Sequence, residues 1–207
     1  KKTRVSLADM DCRSWKRDLK ADQYIIGLLL VMLRDITPEH DSKLQMLIEN
    51  LREKFAHPIN GDNKKVLIFT AFSDTAEYLY DNLSSAIMEK VGLHTGLVTG
   101  NDVASTIKGL RADFNSILTL FSPISKEADK LLPDTKERID VLIATDCISE
   151  GQNLQDCDYL INYDIHWNPV RIIQRFGRVD RIGSRNDVIQ LVNYWPDIEL
   201  DDYLRLK

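Results

Sequence analysis

The sequence has no apolar stretch approaching the roughly 20 residues that a bilayer span requires, and no signal-peptide pattern, so no membrane role is expected. Its longest apolar run, Tyr24 to Leu33, is too short. Cysteine is scarce. Cys12, Cys147 and Cys157 are an odd set of three without CxxC spacing, which argues against a disulfide framework and fits a reducing, cytoplasmic compartment. Four scattered histidines show no HxxxH pairing, so no metal is assigned. Positive charge is also short. A net charge of −5 argues against a generic nucleic-acid-coating domain, so any nucleic-acid contact has to be local. There is no GxxxxGK[ST] loop to cradle phosphates and no Asp-Glu box to hold Mg²⁺. The first residue is Lys1 rather than Met, which points to a piece of a longer protein.

What is present is globular. With 43% hydrophobic and 29% charged residues, the 207-residue chain can bury a large core, enough for one domain and an accessory element. Residues 1–60 read as a helical lead-in. The run from Tyr24 to Leu33 is apolar on every face, and such a helix is expected to be buried. A second helix is predicted from Thr37–Pro38, with Leu44, Leu47, Ile48, Leu51 and Phe55 on one face. His57–Pro58 and Asn60–Gly61–Asp62–Asn63 make a polar break, taken as the domain boundary. From there the pattern changes. Val66–Phe69 is a continuous apolar run, as in a strand buried on both faces. Ser73 or Asp74 is the expected cap of the next helix, whose core side carries Ala76, Leu79, Tyr80, Leu83 and Ile87, with Gly92 closing it. Further strands are predicted at 97–99, 141–144, 159–163 and 188–192, with helices between most of them. Alternation of this kind implies βαβ units around a parallel sheet.

The most informative stretch runs from Asn168 to Arg181. Asn168–Pro169 starts a helix well, a capping side chain followed by a residue preset for helical φ. Arg171, Gln174, Arg175, Arg178 and Arg181 then recur at spacings of three and four, predicting a cationic stripe. Arginine's planar fork suits phosphate oxygens and stays charged when partly buried. The same stripe also suits a solvated basic face with internal salt bridges. Gly177 inside a helix costs about 1 kcal/mol relative to alanine, so a close approach by another backbone or a ligand is expected there. A second stretch, Ala144 to Leu154, follows a predicted buried strand and so lies at the carboxyl edge of the sheet, where open α/β sheets bind ligands. Thr145, Ser149 and Asn153 offer short hydrogen-bonding side chains, and Gly151 permits a tight turn. An ordinary capped loop would look much the same.

Taken together, Glu150–Gly151–Gln152–Asn153–Leu154, Asn162–Tyr163–Asp164, Trp167–Asn168–Pro169 and Gln174 to Gly183 resemble motifs V and VI of the Swi/Snf-type branch of superfamily 2 helicases and DNA translocases. Lys65 to Phe72 resembles motif IV. The resemblance covers roughly residues 60–195 in the right order, and its motif VI block is highly specific. It implies an α/β fold: a RecA-like parallel sheet flanked by helices, with an N-terminal helical segment. The expected organisation is a lead-in over 1–60, the second, C-terminal RecA-like lobe over 61–197, and the start of an extension over 198–207. By the same resemblance Arg178 and Arg181 would be arginine fingers, reaching the γ-phosphate of ATP held by the first lobe of the same polypeptide. Gln174, Gly151 and Asn153 would face the nucleotide, with Mg²⁺ held mainly by that first lobe, while Arg175 would brace the lobe through carboxylates. Thr70, Ala71, Phe72, Thr99, Gly100 and Thr145 would lie along a nucleic-acid track that grips phosphates without reading sequence. The resemblance favours duplex DNA and leaves RNA open. Residues 122–137 exceed the usual link before motif V and read as an insertion touching DNA or another domain. Lacking the phosphate loop, this chain alone is expected not to hydrolyse ATP. The rival expectation is a non-catalytic nucleic-acid-binding or assembly domain on the same fold.

Overall fold

A computed structural model of the chain describes residues 11–34, 36–148, 151–166 and 168–195. Ser149, Glu150, Trp167 and the expected extension at 198–207 lie outside them. Contacts divide the chain into two units, Lys1–Leu47 and Ile48–Lys207.

In the first unit α1 spans Cys12–Arg34 and a short 3₁₀ turn spans Pro38–His40. The 24–33 run, expected to be buried, is exposed in the single chain. No residue of α1 is buried, and the apolar side chains from Tyr24 to Leu33 are 48–69% exposed. A cylinder apolar all round needs cover on every side, and the 3₁₀ turn that follows it buries nothing either. No described helix is long and apolar enough to cross a membrane. The second helix, α2, starts at Ser42 rather than near Pro38 and runs to Ala56. Asp41 sits before it, its Oδ1 accepting from the Leu44 N–H at 3.0 Å. Leu44, Leu47, Leu51 and Phe55 are buried as their spacing predicts.

The unit boundary falls inside α2 rather than at His57–Asn63, because the second half of that helix is tied to the sheet. Lys54 Nζ donates to Asp158 Oδ1 at 2.7 Å with both side chains fully buried. The other carboxylate oxygen accepts from Asn60 Nδ2 at 2.8 Å, and the Lys54 ammonium lies 5.6 Å from the Tyr159 ring centroid. A buried charge is tolerable when paired and hydrogen-bonded in this way. Asn50 adds a bond to the Tyr194 hydroxyl.

The second unit is built on a six-stranded sheet ordered β3-β2-β4-β1-β5-β6. Its strands are β1 (Val66–Phe69), β2 (His94–Val98), β3 (Val103–Ser105), β4 (Ile139–Ala144), β5 (Tyr159–Asn162) and β6 (Gln190–Asn193). All neighbours pair in parallel except β2 with β3. With the second half of α2, the unit carries α3 (Ser73–Val91), α4 (Phe114–Phe121), the single turn α5 (Ala128–Leu131) and α6 (Pro169–Phe176). Every residue of β1 and β5 is buried, as continuous apolar runs require when both sheet faces are covered. Alternation divides them. Leu67, Phe69, Leu142, Ala144 and Leu160 enter one cluster with Ile117, Leu118, Leu120 and Phe121 of α4.

Local signals mostly hold. Gly92 closes α3 in the left-handed conformation at φ 71°, its N–H donating to the Met88 carbonyl. Asn168 caps α6 by accepting from the Val170 N–H, with Pro169 first in the helix. The cap of α3 is a correction: it is Phe72, with no side-chain bond, and Ser73 is already helical.

Candidate functional site

Parallel register sets the site at the carboxyl edge. Val98 pairs with Ala144, Ala144 with Phe69, and Phe69 with Asn162. The residues one step beyond, Thr99, Thr145, Thr70 and Tyr163, therefore form a row along four adjacent strand ends. Backbone bonds close the row: Thr145 N–H donates to Val98 O, Thr70 N–H to Ala144 O and Tyr163 N–H to Phe69 O. Thr70, Thr99 and Thr145 are all buried. The Thr70 hydroxyl donates to the Phe72 carbonyl, and that of Thr99 engages Asp102 and the Asn101 N–H. These threonines shape the strand-end turns. The exposed members of the predicted track are Ala71, Phe72 (69% exposed) and Gly100.

Arg175 organises the ground behind this row. It is fully buried, unlike every other arginine of its segment. Its Nε and Nη2 hold the Asp146 carboxylate at 2.7 and 3.0 Å, a two-pronged pairing that matches the guanidinium fork. Its Nη1 donates to Asn162 Oδ1 at 2.9 Å and to the Asp164 carbonyl at 3.1 Å. The guanidinium lies 4.9 Å from the centre of the Phe69 ring. Asp164 in turn accepts the Ala71 N–H at 3.1 Å. One side chain thus connects α6 to the loops after β4 and β5 and, through Asp164, to the loop after β1. A brace through carboxylates was the expectation for Arg175. Asp146, Asn162 and Asp164 had no assigned role: Asn162 and Asp164 entered only as part of the motif resemblance, and Asp146 was marked only by its place just after a buried strand.

The predicted cationic stripe needs correction. The helix ends at Phe176, and Gly177 is its C-terminal cap. Arg178 and Val179 N–H then bond three residues back, to Arg175 and Phe176, tightening the chain into a turn. Arg178 and Arg181 stand on that turn and beyond it, not on the face of a continuing helix. The close approach expected at Gly177 comes only from its own helix, where an added Cβ would meet the Ile173 carbonyl at 3.4 Å.

The loop that carries Gly151 and Asn153 is joined through Leu154 to the turn that carries Arg178. Gly151 has φ 72°, a conformation that favours glycine, and leads into the turn where Asn153 Oδ1 accepts the Gln155 N–H. Buried Leu154 donates its N–H to the Arg178 carbonyl at 2.9 Å, joining this loop to the candidate finger. Gln174 Oε1 and Arg178 Nε are buried atoms without a hydrogen-bond partner among the described residues. Buried polar atoms are nearly always satisfied, so these two fit a polar ligand meeting this face. Arg181 is exposed, its carbonyl accepting from Ser184. No group of three or more metal-ligating side chains occurs among the described residues.

The chain resembles known proteins. An uncharacterized ATP-dependent helicase, YqhH, of Bacillus subtilis (strain 168) is 55% identical over 51 residues, 25% of this chain and 9% of the relative. A putative ATP-dependent DNA helicase, fml2, of Schizosaccharomyces pombe is 32% identical over 143 residues, 69% of this chain and 16% of the relative. This chain therefore spans only a small part of either. Among solved structures, the C-terminal part of the Fun30 ATPase domain superposes with a TM-score of 0.49 at 18% identity, covering 79% of this chain and 44% of that one. Residues 42–183, from α2 through the turn after α6, match one family throughout, the helicase conserved C-terminal domain. That match takes in the strand-end row, the Arg175 brace and the Arg178 turn, and the chain belongs to this family, as the second RecA-like lobe of a helicase.

Proposed function

We propose that this lobe works in an ATP-dependent helicase or double-stranded DNA translocase of Swi/Snf type, completing an ATP site shared with a first RecA-like lobe of the same polypeptide. Arg178 and Arg181 are its fingers. The observation that carries this is the division among the arginines. Arg175 spends its guanidinium inside the lobe, whereas the buried Nε of Arg178 has no partner among the described residues and Arg181 is exposed. Phosphoryl transfer needs positive charge aimed at the equatorial and leaving oxygens, held ready beforehand, and a guanidinium on a braced turn supplies it. Gln174, Gly151 and Asn153 line the nucleotide side, and Mg²⁺ is held mainly by the first lobe. The names of the relatives, both ATP-dependent helicases, support the reading. Nucleic acid, with duplex DNA favoured, runs past Ala71, Phe72 and Gly100, while Thr70, Thr99 and Thr145 set the backbone that meets it.

The test is steady-state ATPase kinetics. In the full-length protein Arg178→Ala lowers kcat by roughly 10³-fold or more, with a far smaller change in ATP affinity. This chain alone shows no turnover. Equal losses in binding and turnover would make the arginine a ground-state ligand, and hydrolysis by this chain alone would overturn the shared site.

A further inference from the structure

We propose that Lys126, on the insertion between α4 and β4, is a positioning residue that sets the nucleotide-facing loop at 151–156 and, through it, Arg178. The inference rests on the function proposed above, since it concerns how that finger is aimed.

The insertion is attached to both ends of the loop. At the first end, Lys126 Nζ donates to Gln152 Oε1 at 2.8 Å. At the other, the Asp156 carboxylate accepts the N–H groups of Ile124 and Ser125 at 2.6 and 3.1 Å and the Ser125 hydroxyl. Between these anchors lies Leu154, which donates to the Arg178 carbonyl at 2.9 Å. Gln152 is thus two residues from the contact that holds the finger's backbone.

Two features mark Lys126 as more than an anchor. Asp156 already fixes the insertion with three hydrogen bonds, so Lys126 is not needed to hold it down. Yet this lysine is partly desolvated to meet an uncharged amide, burial pushing its pKa down with no carboxylate among the described residues to offset it. Lysine rarely gives up hydration without a counter-charge, so the arrangement is one a merely structural contact does not require. The next residue, Glu127, is the only non-glycine with positive φ among the described residues, at 51°. Left-handed backbone at such a residue costs about 1–3 kcal/mol and persists only where its surroundings over-determine it. Here they do: Lys126 N–H bonds to Ser122 O, Glu127 N–H to Ile124 O, Ala128 N–H to Pro123 O, and the Glu127 side chain to Lys130. This strained, closed turn is what directs Lys126 at the loop.

The experiment compares ATPase kinetics of variants of the full-length protein with duplex DNA present. Lys126→Met lowers kcat by about tenfold to a hundredfold, as a misaimed catalytic group does, while KM for ATP stays within about twofold. Lys126→Arg, which still donates to Gln152, recovers most of the loss. Gln152→Ala lowers kcat to the same extent, and the double variant falls no further than either single one. A normal kcat for Lys126→Met beside an inactive Arg178→Ala would overturn this inference and leave the function standing. Additive losses, or a loss that arginine does not recover, would also overturn it by making Lys126 an independent prop. A normal kcat for Arg178→Ala would instead overturn the proposed function.

Discussion

Replacing Arg175 with methionine keeps most of the stem and removes the fork. Two bonds to Asp146, one to Asn162 Oδ1 and one to the Asp164 carbonyl are lost together. Removing one partner of a buried ion pair costs about 3–5 kcal/mol, because the other is left uncompensated. The Asp146 side chain is 28% exposed and can regain water, which moves the figure towards the lower end. Asn162 has no such recourse. It is fully buried and keeps only the bond from its Nδ2 to Asn193, so its orphaned oxygen adds about 1–3 kcal/mol. Methionine leaves little cavity. These terms overlap, and a net loss of about 3–4 kcal/mol is expected. At 2–4 °C per kcal/mol for a chain of this size, Tm should fall by about 6–16 °C. Arg175→Lys, which keeps the charge but not the fork, should lose about half as much. Arg171, on the same helix but only half-buried and without a side-chain partner among the described residues, is the control, and Arg171→Met should stay within about 0.5 kcal/mol. Urea and thermal denaturation of the 207-residue chain, followed by near-UV circular dichroism, would measure all three. An Arg175→Met loss below about 1 kcal/mol, or one matching Arg171→Met, would refute the brace.

Thiol chemistry should separate the cysteines. Burial pushes the Cys157 thiol up to about 12, whereas Cys12 and Cys147 are exposed, so alkylation of the native chain should label two thiols promptly and the third only on unfolding. Prompt labelling of all three would contradict the packing of the loop before β5. Asp113 caps α4, accepting from the N–H groups of Asn115 and Ser116, and Asp113→Ala should cost about 1 kcal/mol at neutral pH. The Ser116 hydroxyl and these backbone bonds hold its carboxyl below the ordinary range. A depressed folded pKa gives stability above the unfolded value and loses it as pH falls through the folded one, so the gap between wild type and variant in urea should close in acid.

What could be read from the sequence was whatever short range decides. Val66–Phe69 announces a strand because four consecutive apolar residues have no polar face to expose. Gly92 and Asn168–Pro169 announce helix ends because a cap is a matter of one or two residues. The lines of failure are equally physical. β3 is three half-buried residues held by antiparallel pairing with β2, too short for a period of two to register. Lys54 looks solvent-facing beside Leu51 and Phe55, and only Asp158, 104 positions away, makes its burial possible. Asn60 and Asn63 read as a polar break between domains. In the fold they are staples: Asn60 Oδ1 accepts the N–H groups of Asp187 and Val188, and Asn63 Nδ2 donates to Asn186. The candidate site shows the same split. Its residues, Arg175 as the brace among them, were named from their motif, but the partners Arg175 turns to, Asp146 and Asn162, are ones periodicity cannot see.

Under the proposed function, that inward turn explains why one short segment needs several arginines. A finger must present its charge to a ligand that arrives and leaves, so its guanidinium cannot be spent on the lobe itself. An unsatisfied guanidinium on a short turn would otherwise swing freely, since its rotamers cost little to interconvert. The chain separates the two demands by three residues. Arg175, in the last turn of α6, locks it to Asp146, Asn162 and Asp164, while Arg178 begins the following turn with its N–H on the Arg175 carbonyl. Its own carbonyl is held by Leu154, so its backbone is fixed on both sides and only the side chain remains to respond. The helix therefore has to stop at Phe176. Had it continued, residue 178 would have lain almost one full turn from 175 on nearly the same face, directed towards the same carboxylate rather than away from it.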